Sequence, residues 1–123
     1  QGDMALPEAR LLYPDLRIFG LSTHNPEQAL RAAEVTPDYC GVGPVFATPT
    51  KEIPDPALGP EQAGAIIRAA PFTTVAIGGL NEANLADVLR EGAVNFAVVR
   101  CVCLAPAPFD AIRRLQDLWH SFQ

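Results

Sequence analysis

The chain has 123 residues, of which 49% are hydrophobic and 19% are charged. This length suits one small domain with a sizeable apolar core. The formal net charge of -5 argues against a nucleic-acid partner, because neutralising phosphates requires clustered Lys and Arg. No apolar run approaches the roughly 20 residues that cross a bilayer, and no secretory leader opens the sequence, so we expect no membrane partner and a cytoplasmic location.

The cysteines do not form a recognisable ligand pattern. Cys40, Cys101 and Cys103 are odd in number and lack both a CxxC pair and the Cys/His spacing of a zinc site. We therefore expect them to be small buried hydrophobic residues.

Four short apolar runs alternate with helical patterns along the chain. Each run precedes a segment with apolar residues at helical spacing, which is typical of parallel strands buried on both faces. We predict an α/β chain of parallel (β/α) units, with one further short helix in "LPEARLLYP" before the first run. The runs are "LRIFGLS", "DYCGVGPVF", "TTVAIGGL" and "VNFAVVRCVC".

Several residues predict where the helices begin, end and pack. Asn25, followed by Pro26, and Asn81 are expected N-caps, and Gly92 after "LRE" is an expected left-handed C-cap. Apolar residues at helical spacing are expected on the buried faces. These are Leu30 and Ala33 in the first unit, and Leu85, Val88 and Leu89 in the third.

Repeated (β/α) units allow a doubly wound open sheet or part of a (β/α)8 barrel. The dinucleotide fingerprint GxGxxG is broken in "GVGPVF", where Val45 and Phe46 stand in the stretch that should end in the third glycine and Phe46 takes its place, and this favours the barrel. "AIGGLN", followed one unit later by "AVVRCV", is typical of a barrel phosphate site. Gly78 and Gly79 either let the backbone approach an anion closely or form a tight turn at positive φ.

Four segments, in this order and spacing, closely resemble the C-terminal half of thiamine-phosphate synthases. They are "GLSTHNPEQALRA", "DYCGVGPVFATPTKE", "TVAIGGLNEANLADVLREGA" and "FAVVRCV", and the resemblance covers essentially the whole chain. It implies a (β/α)8 TIM barrel, of which residues 1–123 are the C-terminal half with strands five to eight, while strand four and everything before it are absent. The implied reaction joins a pyrimidine diphosphate to a thiazole phosphate and releases pyrophosphate with the help of Mg²⁺.

The resemblance assigns roles to residues that follow the strands. Asp3 matches a magnesium-binding aspartate, so the implied cofactor is Mg²⁺. Ser22 matches a diphosphate-contacting serine, and Lys51 matches a lysine that neutralises charge as pyrophosphate departs, so both are implied catalytic groups. Thr48 and Thr50, in the Thr-x-Thr-Lys pattern, are implied contacts of phosphate and pyrophosphate.

The third and fourth units are implied to bind the thiazole phosphate. Gly78 and Gly79, with the backbone around Val99 and Arg100, resemble the family's phosphate contacts. Many members of the family have Ser where this sequence has Arg100. A guanidinium at that position can still bind the phosphate through paired N–H donors.

His24 leaves two roles open. An imidazole at a strand end can carry protons near neutral pH, and thiazole tautomerases, a sister family that this sequence also resembles, use a histidine at the matching place. Synthases often have the same "STH", so His24 is also compatible with a positioning or packing role. The pattern "ATPTKE" favours the synthase over the tautomerase.

Half of the implied site is missing from these residues. In the family, residues of strands two to four also hold the pyrimidine and the diphosphate, and four parallel strands alone leave two unpaired edges and one uncovered face. We expect completion by an N-terminal half-barrel, on this chain or another, or by self-association. A non-catalytic half-barrel that binds phosphate is the alternative outside the enzymes.

Overall fold

The computed structural model describes residues 4–50 and 55–123. The strands β1 (Gly20–Thr23), β2 (Tyr39–Val42), β3 (Thr73–Ile77) and β4 (Phe96–Ala97) form one parallel sheet in the order β1-β2-β3-β4. The helices are α1 (Leu6–Leu12), α2 (Pro26–Glu34), α3 (Pro60–Ala69), α4 (Leu85–Arg90), α5 (Arg100–Cys103) and α6 (Pro108–His120). The predicted α/β class of parallel (β/α) units is confirmed. None of the helices in these two ranges has the length and apolar character that crossing a membrane requires.

The strands are neighbours in space in the order in which they occur in the chain. Gly20 of β1 pairs with Tyr39 of β2, which pairs in turn with Thr73 of β3, and Ala76 pairs with Phe96 of β4. Because every pair is parallel, the carboxyl ends of all four strands lie at one edge of the sheet. The connections that leave this edge are therefore brought together.

The apolar core lies between one face of the sheet and the helices. Cys40 and Val42 of β2 and Ala76 of β3 are completely buried on that face. Leu85 and Val88 of α4 are completely buried in the same cluster as Val42 and Ala76. The alternation along β2 follows from strand geometry, since successive side chains point to opposite faces.

The opposite face of the sheet is not covered by any described helix. Tyr39 and Ile77 point to this side and are 40% and 41% exposed, and Ser22 is exposed beside them. Within the described ranges β1 and β4 each pair with a single strand. The sheet thus has the uncovered face and the two open edges that the pattern of four units predicts.

The predicted helix ends are partly confirmed. Asn25 caps α2, since its Oδ1 accepts a hydrogen bond from the Gln28 amide at 2.9 Å, and Gly92 has a φ of 101° just after α4. The prediction for Asn81 is wrong, because α4 begins only at Leu85. Asn81 instead accepts a hydrogen bond from the Ala83 amide and so closes a turn that precedes the helix.

Two other predictions fail for tertiary reasons. Leu30 is 70% exposed, because α2 turns Ala32 and not Leu30 toward the core. The fourth apolar run is not one long strand: after Phe96–Ala97 it turns into the short helix α5 at Arg100. An apolar run alone does not distinguish a buried strand from a buried helical turn.

Truncating Leu85 to Ala tests the position of the core. We expect Leu85→Ala to lower the free energy of unfolding by about 2–5 kcal/mol, because the removed methyl groups leave a cavity in close packing. Leu104, which is 69% exposed, supplies the matched control, and Leu104→Ala should change that energy by less than about 0.5 kcal/mol. Urea denaturation followed by circular dichroism measures both, and equal losses would contradict this core.

Candidate functional site

A cavity of about 380 Å³ opens at the carboxyl edge of the sheet. Its walls come from the connections after all four strands. The predicted site residues that line it are Ser22, His24, Thr48, Thr50, Gly78, Gly79, Val99 and Arg100. The other two predicted site residues, Asp3 and Lys51, lie outside the described residues.

The loop between β2 and α3 is held to the end of β3 by its backbone. The amides of Val45 and Phe46 donate hydrogen bonds to the carbonyls of Ile77 and Gly78 at 2.9 and 3.0 Å. The loop returns through Leu58, whose amide donates to a carbonyl at the loop's own start at 2.8 Å. Both ends of this long loop are therefore fixed, and described parts of the loop line the cavity.

Two hydroxyl groups of this loop line the cavity. The Oγ1 atoms of Thr48 and Thr50 are 2.9 Å apart, and the Thr50 amide donates to the Thr48 hydroxyl at 3.4 Å. Hydroxyls both donate and accept, so this pair can turn its protons toward anionic oxygens. Thr50 is exposed and Thr48 is half-buried, and both line the cavity.

Gly78 and Gly79 form a tight turn under the same loop. Their φ angles are 96° and 68°, in the region where residues with a Cβ are strained. A Cβ added to Gly78 would lie 2.5 Å from the Cα of Pro44, and one added to Gly79 would lie 2.7 Å from the carbonyl oxygen of Phe46. The turn and the close approach of the loop therefore both require glycine here, whether or not an anion binds.

The His24 ring bridges two connections at the cavity wall. Its Nδ1 lies 2.5 Å from the carbonyl oxygen of Gly43, and its Nε2 lies 3.8 Å from Oδ2 of Asp55. The side chains of His24 and Asp55 are 14% and 31% exposed. Sequence reasoning missed Asp55, which belongs to no motif. Its only signal is a carboxylate between the Thr-x-Thr-Lys pattern and the start of α3.

The described part of the cavity carries few charges. Arg100, the first residue of α5, supplies a guanidinium and Asp55 supplies a carboxylate. Within residues 4–50 and 55–123 no group of three or more His, Cys, Asp and Glu side chains could hold a metal ion. These residues therefore do not form a magnesium site by themselves, and Mg²⁺ binding stays a prediction that depends on Asp3.

Cys101 also lines the cavity, beside Arg100. Burial is the largest cause that raises the pKa of the Cys101 thiol, and the charges of Glu82 and Cys103 raise it further. Cys40 is completely buried as predicted, whereas Cys103 is exposed, so the prediction of three buried cysteines is wrong for Cys103. The exposed position follows from α5, a single turn that turns Cys103 away from the core.

The close packing of Gly78 can be tested against a second glycine at positive φ. Gly78→Ala should lower the free energy of unfolding by about 3 kcal/mol, since backbone strain and overpacking against Pro44 add together. A Cβ added to Gly92 would lie 3.6 Å from Arg68 Cγ, which is an ordinary contact. Gly92→Ala should therefore bring backbone strain alone and lower the free energy of unfolding by about 1 kcal/mol. Denaturant titration measures both, and a Gly78→Ala protein as stable as Gly92→Ala would contradict the packing.

The cysteines differ in their expected reactivity. A raised pKa leaves a smaller fraction of Cys101 as the reactive thiolate near neutral pH, and partial burial hinders access. We expect iodoacetamide at pH 8 to alkylate Cys103 about tenfold faster than Cys101. Peptide mass spectrometry over time measures the two rates, and equally fast modification would contradict the described surroundings of Cys101.

Comparison with known proteins places this geometry in a family. A family model described as thiamine monophosphate synthase (TMP-TENI) matches residues 1–102. The chain is 42% identical over 118 residues to the thiamine-phosphate synthase of Albidiferax ferrireducens, and equally identical over the same length to that of Chloroflexus aurantiacus. Each alignment covers 96% of this chain and 54% of the relative.

A solved structure, the thiamine phosphate pyrophosphorylase from Pyrococcus furiosus, superposes with a TM-score of 0.86 at 31% identity. The superposition covers 98% of this chain and 57% of that structure. The chain thus spans about half the length of the relatives that it matches. From the family model, the relatives and the shared fold, we conclude that this chain belongs to the thiamine-phosphate synthase family.

Proposed function

We propose that the protein carrying this chain is a transferase of thiamine biosynthesis. It joins hydroxymethylpyrimidine diphosphate to a thiazole phosphate and releases thiamine phosphate and pyrophosphate. One observation carries the proposal: the predicted residues of the described ranges, from four separate connections, line a single cavity.

The diphosphate binds, in this proposal, to hydroxyls at the end of β1 and on the loop after β2. Ser22 is exposed at the end of β1, and Thr48 and Thr50 lie across the cavity on the loop after β2. Hydroxyls suit a diphosphate because a hydroxyl can donate to an ionised phosphate oxygen and can accept from a protonated one. Lys51 follows Thr50 directly in sequence and would neutralise charge as pyrophosphate leaves.

The thiazole phosphate binds at the opposite wall, formed by the connections after β3 and β4. The Gly78–Gly79 turn has no side chain that would hinder a phosphate, and Val99 and Arg100 line the cavity next to it. A guanidinium and a phosphate form paired charge-assisted hydrogen bonds. The two substrates therefore meet in the middle of the cavity, between the hydroxyls on one side and Arg100 on the other.

Catalysis in this proposal depends on positioning and charge. Loss of pyrophosphate leaves a cation on the pyrimidine methylene, and the thiazole nitrogen captures it, so no side chain has to form a covalent bond. Mg²⁺, held by Asp3 and by parts of the protein beyond this chain, would supply positive charge to the diphosphate. His24 acts by orienting the substrate or by exchanging a proton through its Nε2.

The uncovered sheet face supports completion by a second half-barrel. Tyr39 and Ile77 lie on that face at 40% and 41% exposure, and β1 and β4 have open edges among the described residues. An N-terminal half of the same protein would cover the face and close the barrel; self-association would be a second route. We infer a cytoplasmic enzyme with small-molecule substrates.

The deciding experiment is an assay of the natural full-length protein. Incubation with both substrates and Mg²⁺ should yield thiamine phosphate and pyrophosphate in equal amounts, detected by liquid chromatography. Omission of either substrate is the control. Turnover of the thiazole phosphate alone to an isomer would identify a tautomerase, and binding of both substrates without product would identify a non-catalytic protein.

Replacement of Arg100 tests the thiazole phosphate site. We expect Arg100→Ala to raise the KM for the thiazole phosphate about 10- to 100-fold with a smaller change in kcat, because a charge-assisted contact is lost from binding. Arg113→Ala removes the same charge from the exposed side of α6 and should leave both constants unchanged. Steady-state kinetics measure both variants, and an Arg100→Ala enzyme with normal KM would refute this role.

A further inference from the structure

The His24 ring has a defined tautomer when it is neutral. Its Nδ1 lies 2.5 Å from the carbonyl oxygen of Gly43, and a carbonyl oxygen can only accept. Nδ1 must therefore carry the hydrogen and donate it. In the uncharged ring, Nε2 then has a lone pair and acts as an acceptor.

The backbone that carries this ring is also fixed. The His24 amide donates to Oε1 of Gln28 at 2.7 Å, and the Gln28 amide donates to Oδ1 of Asn25 at 2.9 Å. These two hydrogen bonds hold the start of α2. With its side chain only 14% exposed, the imidazole has little freedom to turn Nε2 away.

Asp55 places a second acceptor beside Nε2. Its Oδ2 lies 3.8 Å from that nitrogen, and both residues line the cavity. An uncharged Nε2 and a carboxylate cannot hydrogen-bond to each other because neither carries a hydrogen. A carboxylate has about four lone-pair positions, so Asp55 can accept from a ligand in addition to its contacts within the protein. We call His24 Nε2 and the Asp55 carboxylate the acceptor pair.

The chemistry of the acceptor pair selects its ligand group. A phosphate would be repelled by the carboxylate, whereas a nitrogen with two hydrogens can donate to both acceptors at once. The nearby cavity wall is apolar where Ile77, Leu80 and Val98 line it, which suits a flat ring. We propose that the acceptor pair binds the exocyclic amino group of a heteroaromatic ring. This inference rests on the proposed function, in which that group belongs to the aminopyrimidine.

The test compares thiamine phosphate with an analogue that has a methyl group in place of the pyrimidine amino group. Calorimetry at pH 8, where imidazole side chains are ordinarily uncharged, measures both affinities for the natural full-length protein. We expect the amino compound to bind about tenfold tighter, since two hydrogen bonds are lost with the methyl group. Equal binding of both compounds would overturn the inference while leaving the proposed function intact. Absence of thiamine phosphate binding would contradict the proposed function and the inference with it.

Variants assign this preference to the acceptor pair. Asp55→Ala removes the carboxylate, and His24→Asn keeps a donor for the Gly43 carbonyl while removing Nε2. Each should reduce the preference to about threefold or less, and circular dichroism of each variant checks its folding. Asp117→Ala, which removes an exposed carboxylate of α6, should retain the tenfold preference. Retention of that preference in either site variant would refute the inference.

Nitrogen NMR of the unsubstituted protein gives a result that does not depend on the folding of any variant. With the His24 side chain labelled, thiamine phosphate should move the Nε2 resonance toward the value of a protonated ring nitrogen. The methyl analogue should leave it in place. Identical spectra with both compounds would overturn the inference.

Discussion

The backbone contact between the β2–α3 loop and the end of β3 is the constraint on which the site depends. Two amides, from Val45 and Phe46, donate to the carbonyls of Ile77 and Gly78, and the chains approach so closely that Gly78 leaves no room for a Cβ. The contact fixes the floor of the cavity with main-chain atoms. Because the main chains approach so closely, glycines stand where a buried strand would ordinarily carry larger residues. The side chains of the neighbouring residues line the walls of the cavity.

A second contact ties the first connection to the second. The cap formed by Asn25 and Gln28 fixes the start of α2, and the His24 ring next to it reaches the Gly43 carbonyl. Three neighbouring strand ends are thereby joined through main-chain carbonyls. One cavity is therefore lined by hydroxyls, an imidazole, a carboxylate and a guanidinium, which come from strand ends and from the connections that follow them. This arrangement suits chemistry that depends on the position and charge of the groups.

The uncovered sheet face sets a limit on what these residues do alone. Ile77 lines the cavity and Tyr39 lies farther along the same face of the sheet, so covering this face would stabilise the sheet and exclude water from the site at the same time. The chain spans about half the length of its relatives. In the proposal that a second half-barrel covers this face, folding of the site and closure of the sheet depend on that same half-barrel.

The sequence alone determined the class of the fold and most of the described cavity lining. The alternation of apolar runs with helical patterns predicts parallel units, and parallel units bring all strand ends to one edge. The resemblance to thiamine-phosphate synthases then implied Ser22, Thr48 and Gly79 as site residues at that edge. Local signals also sufficed for the Asn25 cap and the left-handed Gly92.

Only the tertiary structure decided which apolar residues are buried and which polar groups meet. Leu30 and Leu85 occupy similar positions in their local patterns, yet only Leu85 faces the core, because burial depends on how each helix is rotated against the sheet. Asp55 lies far from His24 in sequence and reaches it only because backbone hydrogen bonds hold both ends of its loop. Such contacts depend on the path of the chain through space, which residue periodicity does not encode.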